Sequence, residues 1–333
     1  MLPGVCPQKI GYGSKGLILE CVVTGNEELR DWLKTEALAL GFARVGFAGC
    51  EPFADERERL RLWLDDAGRE LFPYLGSENL LDPRRLLEGA ATALVAFFPY
   101  ARPEAVPGSA PGSLKLSRYV WGPDYHMILK ARLKRLLAQA QERYPLLQGR
   151  VCVDTAPLLE RQLAVRAGLG WQGRHTLLIA GKAGSWGFLG VLLLTVDLAF
   201  DAPFQGHRCG TCRACLEACP AGALAPFRLD PARCLTTYTV ETELDPPRVV
   251  LEAIRETSWV AGCDLCQEVC PWNRTPVWGD ASLWGGPSPL HTLPVEALPR
   301  GTAQWQKLTR RTALRRVRHR HWLANLKKLQ PSP

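Results

Sequence analysis

Residues 209–220 read Cys209-Gly-Thr-Cys212-Arg-Ala-Cys215-Leu-Glu-Ala-Cys219-Pro220. This spacing holds iron–sulfur clusters, and in proteins with two clusters the fourth cysteine of such a run ligates the other cluster. A second run, Cys263-Asp-Leu-Cys266-Gln-Glu-Val-Cys270-Pro271, ends in the same way but has no opening cysteine. Cys234 lies between the two runs and can complete the second set. The spacing therefore predicts two [4Fe-4S] clusters.

The crossing of ligands between the runs divides the eight thiolates into two sets. Cluster 1 takes Cys209, Cys212, Cys215 and Cys270, and cluster 2 takes Cys219, Cys234, Cys263 and Cys266. Structural zinc is the alternative, because Cys-x-x-Cys pairs are common zinc ligands. A zinc site needs neither a third cysteine at the next three-residue step nor a proline after the last thiolate. Both features occur here, so the spacing favours clusters over zinc.

The bulk composition is that of a globular protein. The chain has 333 residues, of which 47% are hydrophobic, enough for one large domain or two moderate ones. The remaining cysteines follow no spacing pattern, and thiolate-held clusters need a reducing compartment. We therefore expect a cytoplasmic protein. The longest apolar stretch, residues 187–196, is shorter than the roughly 20 residues that cross a bilayer, so neither a membrane span nor an export signal is expected.

Apolar runs bounded by turn residues predict buried strands. They lie at residues 43–48, 92–98, 150–153 and 187–196. Segments with helical patterns separate them, at residues 26–41 with Asn26 as the cap, 124–144 and 157–167. The alternation of strands and helices predicts an α+β protein whose first large domain is of α/β type.

The chain divides into four predicted parts. These are an N-terminal extension (residues 1–26), an α/β-type domain (27–200), a ferredoxin-like domain with both clusters (201–275), and an irregular segment followed by a basic helix (276–333). Within the last two parts we predict one helix at residues 246–260 and the basic helix at residues 309–329.

Two residues outside the cysteine runs attract attention. Asp154 falls where a predicted strand gives way to a helix, a position at which α/β sheets present ligand-facing groups. A structural alternative is that an Asp or Thr just before Pro157 caps the helix that the proline starts. For His175, a packed or hydrogen-bonded loop histidine is the alternative to a metal ligand.

Several longer stretches carry a resemblance to a known family. They are Ser117-Arg-Tyr119, Asp124-Tyr-His126, Asp154-Thr-Ala-Pro-Leu-Leu-Glu-Arg161, Gly168-Leu-Gly-Trp-Gln-Gly-Arg-His175 and Cys263-Asp-Leu-Cys-Gln-Glu-Val-Cys-Pro-Trp-Asn273. Together they resemble the epoxyqueuosine reductases, and the match covers about residues 27–325. Members of that family are cobalamin-dependent iron–sulfur enzymes that reduce epoxyqueuosine to queuosine at the wobble position of tRNA.

The resemblance implies that residues 27–200 form a cobalamin-binding catalytic domain and that the basic helix within residues 276–333 binds tRNA. It also implies roles for individual residues. Asp154 matches the catalytic aspartate that gives a proton to the opening epoxide oxygen. The cofactor-binding residues carried over to this chain are Ser117, Asp154, Arg161 and His175. A carboxylic acid can donate a proton near neutral pH only if its pKa is raised, and burial beside the corrinoid is expected to raise the pKa of Asp154. The resemblance also implies an external electron donor, and we expect a monomer.

The basic residues are concentrated at the C-terminus. Ten Lys or Arg residues follow Glu296 and no acidic residue does. A basic helix is by itself most often a solvated face. Given a tRNA substrate, phosphate contacts are expected from Arg310, Arg311, Arg315, Arg316, Arg318 and Arg320. The family often has a Lys shortly after the position of Cys234, whereas this chain has Glu241 and Glu243 there.

Two other functions remain open at this point. A reductive dehalogenase also pairs a corrinoid with two clusters, but that family is usually exported and its proton donor is typically a tyrosine. A non-catalytic alternative is a ferredoxin-like electron carrier with an RNA-binding tail, which would bind no corrinoid.

Overall fold

The computed structural model describes residues 15–102, 114–279 and 299–330. The helices are α1 (Lys15–Ala39), α2 (Ala54–Trp63), α3 (Arg69–Leu71), α4 (Tyr125–Arg143), α5 (Glu160–Arg166), α6 (Ala214–Glu217), α7 (Arg248–Thr257), α8 (Leu265–Glu268), α9 (Thr302–Thr309) and α10 (His319–Lys328). The strands are β1 (Arg44–Gly49), β2 (Thr92–Pro99), β3 (Lys115–Leu116), β4 (Gly149–Cys152), β5 (Trp171–Gln172), β6 (Leu178–Ile179), β7 (Gly187–Leu194), β8 (Leu224–Ala225), β9 (Arg228–Leu229) and β10 (Trp259–Ala261). Most of the predicted N-terminal extension and of the irregular segment, residues 1–14 and 280–298, lies outside the described residues.

The main sheet has four strands in the order β1-β2-β7-β4. All four predicted strands are confirmed to within two residues at either end. Every pair is antiparallel, with Leu94 of β2 opposite both Phe47 and Leu192. The α+β class is confirmed. The strands of the main sheet alternate with helices along the chain, but they pair antiparallel, so these helices are not crossovers between parallel strands.

The central strand β2 is buried along its whole length because helices cover both faces of the sheet. Leu94 and Phe98 face the core formed with α1 and α4, whereas Val95 and Phe97 face the core formed with α5. Successive side chains of a strand point to opposite faces, so an unbroken apolar run fits this position. Each such side chain contributes about 1.5–3 kcal/mol by leaving water.

The helix predictions are confirmed for α4 and wrong in part elsewhere. Asp124 caps α4, since its side chain accepts a hydrogen bond from the His126 backbone N–H. Helix α1 begins at Lys15, so Asn26 does not cap it. Instead, the Asn26 amide donates to the Asp197 carbonyl oxygen at 2.9 Å. Helix α5 begins only at Glu160, three residues after Pro157.

The cysteine-rich segment is joined to the sheet domain by a parallel pair of short strands. β10 pairs with β3, with Ala261 opposite Leu116, and the Ser117 N–H donates to the Ala261 carbonyl oxygen at 2.9 Å. Because β10 leads directly into Cys263, this pairing places the second cysteine run beside the catalytic domain. The predicted helix at residues 246–260 is confirmed as the shorter α7.

The predicted single helix at residues 309–329 is wrong. A 3₁₀ turn at Ala313–Arg316 separates α9 from α10. The chain folds back there because Trp305 and Trp322 are both buried in the core of the sheet domain, with their rings 4.8 Å apart. The C-terminal segment is therefore part of the folded body and not a free arm. None of the described helices is long and apolar enough to cross a membrane.

Candidate active site and cluster sites

Asp154 lies just beyond the end of β4, within reach of two cationic side chains. His126 Nε2 lies 2.8 Å from Asp154 Oδ2, and Arg316 Nη1 donates to the same oxygen at 2.8 Å. The other ring nitrogen, His126 Nδ1, lies 2.6 Å from Asp124 Oδ1. The Asp154 side chain is 40% exposed, so a group in solution can reach it.

The backbone at Asp154 has a positive φ of 53°. Such a conformation is sparsely populated outside glycine, although Asp tolerates it better than most residues, and it tends to occur at functional sites. The Asp154 N–H donates to Glu160 Oε1 at 2.8 Å, which fixes the turn. The capping alternative is wrong, because no side chain caps the first residue of α5. The Glu160 carboxylate fixes the Asp154 backbone, and the Asp154 side chain does not cap α5.

The contacts of His126 determine its charge. Carboxylates can only accept hydrogen bonds, so an imidazole placed between two of them carries a proton on both nitrogens. Burial disfavours this cation, but the hydrogen bonds to Asp124 and Asp154 outweigh it and raise the pKa of His126 to about 9. The site therefore stores a proton on His126 at neutral pH.

The pKa of Asp154 moves in the direction opposite to the expectation. Burial alone would raise it, but the hydrogen bond from His126 and the charge of Arg316 together hold the pKa of Asp154 below its usual value. The expectation of a raised pKa was wrong because it considered burial without the cations. By contrast, burial followed by the charge of Asp154 raises the pKa of Glu160 to about 8.

The neighbours of Asp154 come from distant parts of the chain. Electrostatic coupling places Tyr74, Tyr119 and Glu241 near Asp154 and Arg316. Tyr74 follows α3, Tyr119 follows β3, Glu241 follows the cysteine at 234, and Arg316 ends the C-terminal 3₁₀ turn. Residues of the main sheet domain, the cysteine-rich domain and the C-terminal segment therefore meet around the exposed Asp154 carboxylate, and the space between them is termed the cleft.

The other predicted cofactor-binding residues are dispersed around this cleft. Ser117 is only 2% exposed, and its hydroxyl donates to Asp264 Oδ1 at 2.7 Å, between the cysteines at 263 and 266. Arg161 Nη1 donates to the Thr176 carbonyl oxygen at 2.8 Å. Arg161 also lies near Tyr74 and Glu160. Arg161 borders the cleft, whereas Ser117 is bound to the cluster-2 segment.

The four cysteines predicted for cluster 1 line one cavity. It has a volume of about 390 Å³ and includes Cys209, Cys212, Cys215 and Cys270 together with His175 and Trp272. Burial, followed by the nearby thiols at 209, 215 and 212, raises the pKa of Cys270 to about 11. The cavity thus brings together one run's first three cysteines and the other run's last.

The four cysteines predicted for cluster 2 also lie together. Burial, and then the proximity of Cys234 and Cys219, raises the pKa of the Cys263 thiol. The pKa of Cys266 is raised by burial and then by the same neighbours. The donor chemistry of both groups, four thiols each and apolar surroundings, fits a [4Fe-4S] cluster.

The six candidate RNA-binding arginines are all exposed, but they are not equivalent. Arg316 turns toward Asp154, and Arg318 and Arg320 form ion pairs with Glu243. Glu243, one of the two acidic residues at which this chain departs from the family pattern, is therefore paired within the protein. The remaining arginines are those at 310, 311 and 315.

Sequence reasoning did not single out His126 or Glu160. Both stand inside quoted motifs, but nothing in their spacing indicates that they contact Asp154. No local signal brings His126 to Asp154, because the two residues lie 28 positions apart in the sequence.

Two family models match the chain. One, described as Epoxyqueuosine reductase QueG, DUF1730, matches residues 81–155, and the other, a 4Fe-4S double cluster binding domain, matches residues 208–273. The first contains His126 and Asp154. The second contains all eight cysteines predicted to hold clusters.

Curated relatives match over most of their length. The epoxyqueuosine reductase of Synechococcus sp. (strain CC9605) is 38% identical over 312 residues, which is 92% of this chain and 95% of the relative. That of Salmonella typhimurium (strain LT2) is 36% identical over 306 residues, 90% of this chain and 79% of the relative.

Solved structures share the fold. The epoxyqueuosine reductase of Streptococcus thermophilus has a TM-score of 0.75 and 25% identity, covering 90% of this chain and 80% of that chain. An epoxyqueuosine reductase crystallised with a tRNA-Tyr epoxyqueuosine-modified tRNA stem loop has a TM-score of 0.73 and 24% identity, covering 91% of this chain and 80% of that chain.

Proposed function

The chain belongs to the epoxyqueuosine reductase family, and on that premise we propose that it reduces epoxyqueuosine to queuosine at the wobble position of tRNA. The chain is an oxidoreductase with two [4Fe-4S] clusters. The observation that carries the proposal is the protonated His126 held against Asp154, in a cleft that also borders the cysteine-rich domain. From the tRNA substrate we infer a cytoplasmic location.

The alternatives are less well supported. The match to a double-cluster model favours iron–sulfur clusters over zinc. An electron carrier with an RNA-binding tail would not need the large sheet domain. The curated relatives match that domain as well as the cluster domain, since the alignment covers 92% of this chain. A reductive dehalogenase would typically use a tyrosine as proton donor. Here the exposed carboxylate of Asp154 contacts the protonated His126 and Arg316 instead.

Removing an epoxide oxygen takes two electrons and two protons and releases water. Bound clusters would supply electrons one at a time, and a bound cobalamin would supply the carbon-centred redox chemistry that no side chain offers. His126 would not be a metal ligand, because both of its ring nitrogens lie against carboxylates. Asp154 and Arg161 are the cleft residues proposed to contact it. Ser117 is proposed as a further contact.

The proton path is built from this chain's own residues. His126 holds the proton, Asp124 fixes the ring from behind, and Asp154 stands between the ring and the cleft. An oxygen leaving carbon becomes far more basic than either group, so protonation by a positioned acid lowers the barrier. Because Asp154 is ionised at neutral pH, the proton passes from His126 Nε2 to Asp154 Oδ2 and from Asp154 to the leaving oxygen.

The rate of reduction should fall as pH rises through about 9. The pKa of His126 is raised to about 9, so the protonated, active form predominates below that value and is lost above it. We expect a falling limb near pH 9 in the single-turnover rate, measured with an epoxyqueuosine-containing stem loop. In His126→Gln the limb should disappear and the rate should be lower at every pH.

His319→Gln is the matched control for this pH profile. His319 contacts Thr302 in the C-terminal segment, away from Asp154, so this variant should keep both the rate and the limb. A His126→Gln enzyme with an unchanged pH profile would rule out His126 as the proton store.

Phosphate contacts from the C-terminal segment should dominate tRNA affinity. The structure of a relative with a modified tRNA stem loop supports this class of substrate. Replacing Arg310, Arg311 and Arg315 together by Gln should weaken stem-loop binding at least tenfold. It should also reduce the slope of log K against log salt by roughly 0.7–0.9 per lost contact.

The control for binding replaces Lys134, Arg135 and Arg248 by Gln, which removes the same charge from exposed positions on α4 and α7. Its affinity and salt slope should stay close to those of the unchanged protein. Equal losses in the two triple variants would show that net charge alone, and not the C-terminal segment, determines binding.

The function itself is tested with the full chain reconstituted without oxygen. Addition of cobalamin should produce corrinoid absorption bands beside those of the clusters, and the reduced protein should convert epoxyqueuosine in a tRNA stem loop to queuosine. Corrinoid binding without conversion would refute the proposed substrate, and failure to bind a corrinoid would refute the cobalamin assignment.

A further inference from the structure

His175 is a buried histidine whose tautomer the structure fixes. It lies in the loop between β5 and β6, is 3% exposed, and its Nδ1 accepts a hydrogen bond from the Leu177 backbone N–H at 3.2 Å. Since a backbone N–H can only donate, Nδ1 carries no proton. The imidazole is therefore neutral and its proton is on Nε2.

The Nε2–H of His175 is buried, and within the described part of the chain it has no hydrogen-bond partner. A buried donor that is left unpaired costs free energy, so each such group calls for an explanation. The ring cannot easily turn to find another partner, because it is packed against Gly173. A Cβ at that glycine would lie only 2.8 Å from His175 Cε1.

His175 lines the same cavity as the four thiols of cluster 1. Arg174 also lines it; its Nη2 donates to the Gly210 carbonyl oxygen at 2.8 Å, and its Nε, like His175 Nε2, is buried without a partner among the described residues. Sulfur atoms of a cluster and its thiolates are hydrogen-bond acceptors, and hydrogen bonds to them tune the reduction potential. A cluster bound in this cavity would therefore supply the acceptor that His175 Nε2–H lacks among the described protein residues.

We propose that His175 Nε2–H donates a hydrogen bond to cluster 1 and raises its reduction potential. The added electron makes the cluster more negative, so a donor stabilises the reduced form more than the oxidised form. No proton is transferred, and the oxidised cluster simply gains one electron. In this role His175 acts through the reduction potential of cluster 1 and does not contact the corrinoid. The inference rests on cluster binding and not on the identity of the substrate.

Two substitutions separate the two nitrogens of His175. In His175→Asn the side-chain oxygen can still accept from the Leu177 N–H, but the donor at the ring tip is lost. In His175→Gln the longer amide can place an N–H close to the position of Nε2. Potentiometric titration of the reconstituted full chain, followed by electron paramagnetic resonance, reports the potential of each cluster.

The Asn variant should favour oxidised cluster 1 about tenfold more than the unchanged protein does, a shift of about 59 mV to lower potential for a one-electron couple. The Gln variant should shift less than the Asn variant, and cluster 2 should stay unchanged in both. A cluster-1 potential that is unaltered in the Asn variant would overturn the proposal, as would equal shifts in both clusters.

A second measurement needs no loss of side chain at 175. Protein labelled with ¹⁵N only in histidine should show a nitrogen hyperfine coupling to reduced cluster 1. The coupling should persist in His207→Gln, which removes the exposed histidine near Cys209. Absence of the coupling would refute the hydrogen bond whether or not the protein reduces epoxyqueuosine.

Discussion

Asp154→Asn should lower the single-turnover rate of epoxyqueuosine reduction by about 10²–10⁴-fold, the range typical of a lost general acid. The amide has the same shape but cannot pass a proton from His126 to the cleft. Both clusters should remain, because Asp154 contacts His126, Arg316 and Glu160 but no cysteine. The measurements are the rate at saturating stem loop and the iron content.

Asp154→Asn should also change the pH dependence of the remaining activity. Asp154 is one of the two carboxylates that raise the pKa of His126. Without that charge, the pKa of His126 should fall, and any residual activity should be lost at a lower pH than in the unchanged protein.

Asp65→Asn is the matched control for Asp154→Asn. It makes the same chemical change at an exposed ion pair with Arg61 on the α2 side of the molecule. Its rate should stay within a factor of two or so of the unchanged protein, since exposed pairs contribute little. An Asp154→Asn enzyme as active as this control would exclude Asp154 as the proton donor.

Cys270→Ala should remove cluster 1, although three of that cluster's four ligands lie in the other cysteine run. The cavity that Cys270 shares with Cys209, Cys212 and Cys215 supports this proposed crossing. Correspondingly, Cys219→Ala should remove cluster 2. Each variant should keep about four of the eight iron atoms that two cubane clusters contain, and each should lose one of two paramagnetic signals on reduction.

The crossing is tested by which signal disappears. Cys270→Ala should lose the signal that Cys212→Ala loses, and Cys219→Ala the signal that Cys266→Ala loses. Cys152→Ala replaces a buried cysteine outside both sets and should keep all the iron. If Cys270→Ala and Cys266→Ala lost the same signal, each run would hold its own cluster and the proposed assignment would be wrong.

The strands of the main sheet could be predicted because their signals are local, whereas the division of the cysteines into two sets stays a prediction. An apolar run such as that of β2 is buried wherever it pairs, and thiolate spacing reflects cluster geometry directly. The C-terminal segment could not be predicted in this way. Its charges suggested one solvated helix, but burial of Trp305 and Trp322 against the sheet domain decided its path, and that packing depends on residues hundreds of positions away.

The sequence indicated the central residue of the candidate active site but not the electrostatics around it. Asp154 was found from its position after a strand and from the family resemblance. The direction of its pKa was not, because it depends on His126 and Arg316, which are 28 and 162 positions away in the sequence. Likewise, the sequence indicated His175 only as a cofactor-binding residue, and its position beside the four cysteines predicted for cluster 1 emerged from the structure.

The short parallel pair between β3 and β10 has a kinetic consequence. It fixes the segment that carries Cys263 against the catalytic sheet, and the bond from Ser117 to Asp264 reinforces the same seam. Electron tunnelling depends steeply on distance, and here these hydrogen bonds hold that distance within one folded body. Turnover then need not wait for two mobile modules to meet, so slow steps should be sought in RNA arrival and release.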